Sequence, residues 1–293
     1  MPDPTDIHVR ASADIGAQIR RSPRTKPGPN ASALPIPFTY TPSPDGVDEN
    51  LLVLLHGLGD THGPFASLGR ALNLPQTATL ALCASLQLPF LDAPGFQWYP
   101  SLTALAEPDP QADPTPAFDL ISTVISYLTT ECQWPANRVH MFGFAQGGSV
   151  AVETVVRWAR EAEKGKGKDK EKEGDASAGV GALGSVASVC GSLLSYPTPG
   201  MPACPTPLFY FHRPSATRPS AASTLAALRK AFDSVTEASF PVKLTDDEGG
   251  EEGEVSMPRT RDEWEPVMRF WGQRLSRRAP ADDGDIYEVM TGT

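Results

Sequence analysis

The sequence predicts an α/β domain: a mostly parallel central sheet with helices on both faces. Three observations carry this reading. Short Leu/Val-rich runs alternate with longer segments of helical period along most of the chain. Leu51–Leu55 is apolar at every position, as a strand covered on both sides must be. A chain of 293 residues with ordinary apolar content is long enough for one large core.

The elements follow in order. "FTYTPSP" is a first candidate strand, the run inside "ENLLVLLHGLGD" a second and "TATLALCAS" a third. "AFDLISTVISYLTTEC" places Phe118, Ile121, Val124, Ile125 and Leu128 on one helical face. "RVHMFGFA" is a short strand that runs straight into a helix, "SVAVETVVRWAREAEK". There Glu153, Arg157 and Glu161 stand four apart, a spacing suited to an exposed face. "GSVASVCGSL" and "TPLFYFH" read as strands, and "AASTLAALRKAF" as an amphipathic helix. "FPVKLTDDEGGEEGEV" starts as a strand and dissolves into an acidic loop. The last helix, "DEWEPVMRFWGQRL", aligns Trp264, Val267, Met268, Trp271 and Leu275, with Pro266 disturbing its first turn.

Domain limits come from composition. Proline is about twice its average frequency of about 5%, and much of the excess lies at the N-terminus and in loops. Residues 1–33, rich in Pro, Arg and Ser and locally basic at Arg20, Arg21, Arg24 and Lys26, read as a disordered tail. The domain then covers 34–276, and 277–293 is a second disordered tail. Residues 163–179 form a low-complexity insertion whose lysines are nearly balanced by acids, a solvated loop and not a phosphate site. The net charge of −10 argues against nucleic-acid binding. The four cysteines lack metal spacing and lie in or near apolar runs, which predicts buried thiols, no metal and a reducing compartment. No apolar leader is visible at "MPDPTDIHVR", and no run reaches the length of a membrane span, so a cytoplasmic location is expected.

The chemistry concentrates at "FGFAQGGSVA". Gly143-x-x-x-Gly147 between a strand and a helix has the context of a nucleophile elbow, where glycines let a strained turn and its neighbours pack closely. The residue at the turn is Ala145. The amide N–H groups opening the helix can hold an oxyanion, and His56-Gly57-Leu58-Gly59, after the buried strand, can supply a second donor.

"LLHGLGDT" together with "FGFxQGGSVA" resembles the acyl-protein thioesterases and small carboxylesterases, the phospholipase/carboxylesterase family. "FQWYP" around Trp98 and "TPLFYFH" match comparable segments, and the likeness spans roughly residues 34–275. It implies an α/β-hydrolase fold, no cofactor, and substrates that are esters or thioesters of acyl chains. It also implies a catalytic Ser, Asp and His in that chain order. The serine position is Ala145, whose methyl group cannot attack a carbonyl. The aspartate position, four residues past the strand-ending His212, is Ala216, with Arg213 in place of a glycine. The histidine position, in "SMPRT", offers Pro258 or Arg259, and none of the five histidines follows residue 212.

No replacement pair is evident. Ser149 lies a turn into the helix and reads as structural, Cys190 as core, His212 as a hydrogen-bonded strand end. His56 belongs to the oxyanion loop, His62 to the surface, and Asp246 and Asp247 to a solvated acidic stretch. The expectation is therefore a catalytically inactive relative. Leu58, Gly57, Gln146 and Trp98 would line a retained pocket for an acyl ester, a fatty acid or a carboxylate. The tails and the insertion are alternative protein-docking segments. The competing reading is an active ester or thioester hydrolase with a relocated site.

Overall fold

The computed structural model describes residues 7–11, 25–88, 93–103, 105, 107–168, 181–197, 200–214, 220–241, 255–278 and 287–291. In chain order the elements are β1 Ile7–Ala11, β2 Phe38–Thr41, β3 Asn50–Leu55, α1 His62–Leu72 and β4 Thr77–Leu82. Then come β5 Leu86–Gln87, β6 Phe96–Gln97, α2 Thr115–Thr130, β7 Val139–Phe144 and α3 Gln146–Lys168. The chain continues with β8 Ser185–Val189, β9 Leu208–His212, α4 Ser220–Ala231, β10 Val235–Ser239, α5 Arg261–Gly272 and β11 Tyr287–Thr291.

Seven strands form the central sheet in the order β10-β9-β8-β7-β3-β4-β2. All neighbours are parallel except β2, which runs antiparallel to β4. β3 lies beside both β4 and β7, with Leu55 opposite Gly143. This central place is why Leu51–Leu55 is apolar throughout. Leu51, Val53 and Leu55 face a core shared with Ile121, Val124, Ile125 and Leu128 of α2, Val152 and Val155 of α3, and Leu228 of α4. Leu52 and Leu54 face the other core, with Phe65 of α1 and Val267, Phe270 and Trp271 of α5. The α/β-hydrolase architecture is thus present, and the loops at the strands' carboxyl ends gather on one side, where such sheets bind ligands.

Several local expectations need correction. Glu153 is 2% exposed, not on an outer face. The buried stripe of α5 runs through Val267, Phe270 and Trp271, and Met268 is exposed. The 100° step of a helix carries position 268 off the stripe that holds 267, 270 and 271. Pro266 lies inside α5, yet the first turn forms because Thr260 caps it by accepting from the Glu263 N–H. The strand expected at Phe240 is "VTEAS", Val235–Ser239, and ends before it. Phe240 and Pro241 lie outside the strand, and residues 242–244 of "FPVKL" lie outside the described residues. α1 carries no strong periodic run in the sequence, and it packs through Phe65, Ala66 and Gly69.

The domain also reaches further toward both termini than composition suggests. The Lys26 N–H donates to Asp48, its ammonium to the Gln133 carbonyl, and the Asn30 N–H to the Tyr127 hydroxyl. Near the other end, the Asn50 amide exchanges hydrogen bonds with the backbone of Ser276, and the Gln76 amide with that of Arg278. Side-chain amides here imitate strand pairing. β1 and β11, inside the two segments read as tails, pair antiparallel with Val9 opposite Val289. Arg20, Arg21, Arg24, Asp246, Asp247 and most of the 163–179 insertion lie outside the described residues; α3 itself runs into that insertion as far as Lys168.

Candidate functional site

The strand-to-helix turn after β7 consists of one residue. Ala145 has φ +48°, a left-handed conformation that costs an L-residue about 1–2 kcal/mol. Its N–H donates to the Val189 carbonyl at 2.8 Å, and its own carbonyl accepts from the Ser149 N–H at 3.0 Å. The surrounding glycines have a steric reason. A Cβ at Gly143 would stand 2.3 Å from the Gly147 oxygen, and one at Gly147 would stand 2.3 Å from the His56 oxygen. Strand, helix and the His56 loop therefore meet backbone to backbone. The half-exposed apex carries only a methyl group.

The His56–Gly59 loop is fixed from several directions. His56 is buried; its Nδ1 donates to the Gly57 carbonyl at 2.7 Å and its Nε2 accepts from the Ala84 N–H at 3.0 Å. This pair of bonds needs the neutral ring, and burial lowers the pKa accordingly. Trp98 Nε1 donates to the His56 carbonyl at 2.8 Å. Gly57 lies under Phe144, where a Cβ would be 2.7 Å from the ring, and Gly59 has φ +82°. Leu58 is 39% exposed at the tip. Gln146, the first residue of α3, accepts from the Trp98 N–H at 2.7 Å and donates to the Tyr99 carbonyl and the Ser101 hydroxyl. As a first-turn residue its own N–H has no intrahelical acceptor. Gly57, Leu58, Trp98, Ala145 and Gln146 thus gather at the carboxyl ends of the central strands β3 and β7.

A second wall is built from α3 one and two turns further on. The Ser149 hydroxyl accepts from the Ser192 N–H at 2.9 Å. One Glu153 oxygen accepts from the N–H groups of Leu194 and Ser195, both at 2.6 Å, and the other from the Ser195 hydroxyl at 2.9 Å. Tyr99, on the opposite wall, feels this carboxylate: burial and then the Glu153 charge push its phenol pKa up.

The side expected to hold an acid and a base is organised differently. Arg213, just past β9, makes a two-point pair with Glu263 of α5, both contacts at 2.9 Å, and also donates to the Met257 carbonyl at 3.2 Å. Its guanidinium lies 5.2 Å above the Phe211 ring. Glu263 accepts in addition from the Arg259 N–H at 2.6 Å. The Arg213 hydrogen bonds hold the Glu263 carboxyl at about 2, well below its ordinary 4.5. Pro258 is buried and Arg259 exposed. Ala216 lies outside the described residues. His212 bonds Glu237 at 2.8 Å and stacks on Tyr210.

Cys190 follows β8 at φ +57°, half-buried, with its thiol pKa raised by burial. It contacts the Ser256 carbonyl at 3.8 Å, which links the elbow side of the sheet to the segment before α5. Among the described residues no group of His, Cys, Asp or Glu is arranged to hold a metal, and no helix is long and apolar enough to cross a membrane.

Sequence reasoning missed Glu153 and Glu263. The spacing of Thr260 and Glu263 is that of a capping box and was readable. Nothing in the sequence marks Glu153, because its partners are backbone groups 41 and 42 residues away.

Fold and elbow together define an α/β-hydrolase. The sequence profile described as phospholipase/carboxylesterase matches residues 39–163. An uncharacterized hydrolase from Mycosarcoma maydis is 32% identical over 243 residues, 82% of each chain. One from Schizosaccharomyces pombe is 30% identical over 121 residues, 40% of this chain and 50% of that protein. Among solved structures, Zea mays acyl-protein thioesterase 2 superposes with a TM-score of 0.57 at 19% identity, covering 82% of this chain and 99% of that one. The Bacillus cereus carboxylesterase gives a TM-score of 0.57 at 13% identity, covering 83% and 96%. This chain belongs to the phospholipase/carboxylesterase family of hydrolases.

Proposed function

We propose that this chain is a non-catalytic member of its hydrolase family, one that keeps the elbow and loop frame as a binding site for an acyl ester, a fatty acid or another carboxylate. The carrying observation is Ala145: the elbow turn persists at φ +48° around a methyl group. In serine hydrolases, losing the nucleophile or the base costs about 10⁶ in turnover, and the oxyanion hole with binding leaves about 10³–10⁴ over water. A site lacking both has negligible turnover. The first-turn N–H of Gln146, which has no intrahelical acceptor, and the N–H of Leu58 would hold a carboxylate oxygen. Arg213 and Glu263 support the same reading, since an ion pair now braces the two segments that would carry acid and base. A relocated nucleophile finds little support: the Ser149 hydroxyl holds Ser192, and burial keeps the Cys190 thiol protonated. Tails and insertion remain the place for a protein partner, and the cytoplasm the proposed location.

The test is hydrolysis of short- and long-chain acyl esters and thioesters by the purified chain, beside fluorophosphonate labelling and an active thioesterase. The expected result is the buffer rate and no label, with stabilisation by palmitate or butyrate in a thermal shift. Turnover with a labelled residue sinks the proposal and identifies the nucleophile.

A further inference from the structure

We infer that Gly191–Tyr196 is a latched lid on one wall of the elbow, and that Glu153 is the latch. Its root is fixed. Cys190 at φ +57° turns the chain away from β8, and Gly191 presses on α3 so closely that a Cβ would stand 2.4 Å from the Ser149 N–H nitrogen. Beyond Ser192 the strip has no strand or helix ladder of its own. Leu193 packs half-buried on the core, while Leu194 is 40% and Tyr196 93% exposed. What holds this outer part is Glu153: two backbone N–H groups on one oxygen and a hydroxyl on the other.

The residue type is the informative part. Position 153 lies among Val150, Val152, Val155 and Val156 on a helix with a fully buried flank. An apolar side chain would continue that core at no electrostatic cost. A carboxylate at 2% exposure is strongly unfavourable unless all its lone pairs are engaged. Its partners are all on the strip. The opposite wall differs: Trp98 is buried and its ring nitrogen is tied to the His56 carbonyl, so that wall is held by packing as well as by Gln146. One wall is embedded; the other is rooted by Gly191, by the Ser149–Ser192 bond and by Leu193, and among the described residues its outer part beyond Leu193 is held by Glu153. Opening it exposes the first two turns of α3 next to Ala145. This holds whether or not the elbow turns over an ester.

Amide hydrogen exchange over residues 193–196 reports the opening, and alkylation of Cys190 at the fixed root and of the buried Cys83, Cys132 and Cys204 reports whether the rest of the domain stays closed. Hydrogen exchange of the native full chain is followed over 193–196 by peptide mass spectrometry, with N-ethylmaleimide alkylation of each cysteine in parallel. Glu153→Gln keeps the shape and removes the charge. Exchange in the strip should rise about tenfold, with alkylation of all four cysteines unchanged. Ser195→Ala, which deletes one of the three bonds, should give about a threefold rise and covers the case in which E153Q does not fold. Unchanged exchange over 193–196 overturns the inference. So does a parallel rise at all four cysteines, because that is unfolding of the domain and not opening of a lid.

Discussion

Replacing Glu263 by Gln tests the Arg213 ion pair as the brace of the altered catalytic side. Wild-type Glu263 receives two guanidinium bonds at 2.9 Å and the Arg259 N–H at 2.6 Å. Its carboxyl sits at about 2 against an ordinary 4.5. At 1.36 kcal/mol per tenfold change in proton affinity this corresponds to at most about 3 kcal/mol. The Glu263 side chain is 15% exposed, and solvent screening reduces the figure to about 2 kcal/mol. A glutamine still accepts one bond but leaves the Arg213 side chain, 7% exposed, facing a neutral amide; losing a charged partner at such a site costs about 2 kcal/mol or more. Urea unfolding at pH 7 should therefore show a loss of about 2 kcal/mol, or about 4–8 °C in Tm for a domain of this size. The pH dependence has a definite sign. A carboxyl whose folded pKa is depressed stabilises the fold above its unfolded value, and that contribution fades as pH falls from 4.5 toward about 2. Wild type and E263Q should converge across that window. A difference below about 0.5 kcal/mol at pH 7, or an equal pH slope in the two proteins, would refute the brace.

Three further outcomes are expected. Ala145→Ser restores a hydroxyl at the elbow but no base, so ester hydrolysis should stay at the wild-type level and fluorophosphonate labelling should remain slower than in an active thioesterase by at least about 10³-fold. Gly147→Ala puts a Cβ 2.3 Å from the His56 oxygen and should cost about 3 kcal/mol or prevent folding, read by denaturant midpoint or soluble yield. Buried His140, bonded to the Ser185 hydroxyl, is held at about 4 against an ordinary 6.5. Its neutral form is the folded form, so stability should fall by up to about 3 kcal/mol as pH drops from 6.5 to 4. His140→Gln should flatten that part of the profile; an unchanged slope rules out His140 as its source.

The elbow was legible because its requirements are local. Gly143 is demanded by the turn itself and Gly147, pressed on the His56 loop, completes a short motif; that pattern survives whatever stands at 145. The same locality made Leu51–Leu55 readable as a doubly covered strand. Legibility failed where a residue serves a distant partner. Glu153 fits an exposed helix face by spacing, yet it lies in the core because the Leu194 and Ser195 amides arrive there from another strand's loop. Met268 and Phe270 exchanged roles because a few tens of degrees of helix rotation are set by Phe209 and Phe142 beneath them.

The amino-acid sequence alone determined the layer order, the family and the absence of Ser at the elbow and of any histidine after residue 212, since these depend on periodicity, short motifs and residue identity. Tertiary structure alone decided that Arg213 and Glu263 brace the segments beside the elbow, that Gln146 and Glu153 grip its two walls, and that Lys26 and Asn30 are hydrogen-bonded to the domain. Those features are contacts between groups tens to hundreds of residues apart, and hydrogen bonds of this kind leave no periodic trace in a linear chain.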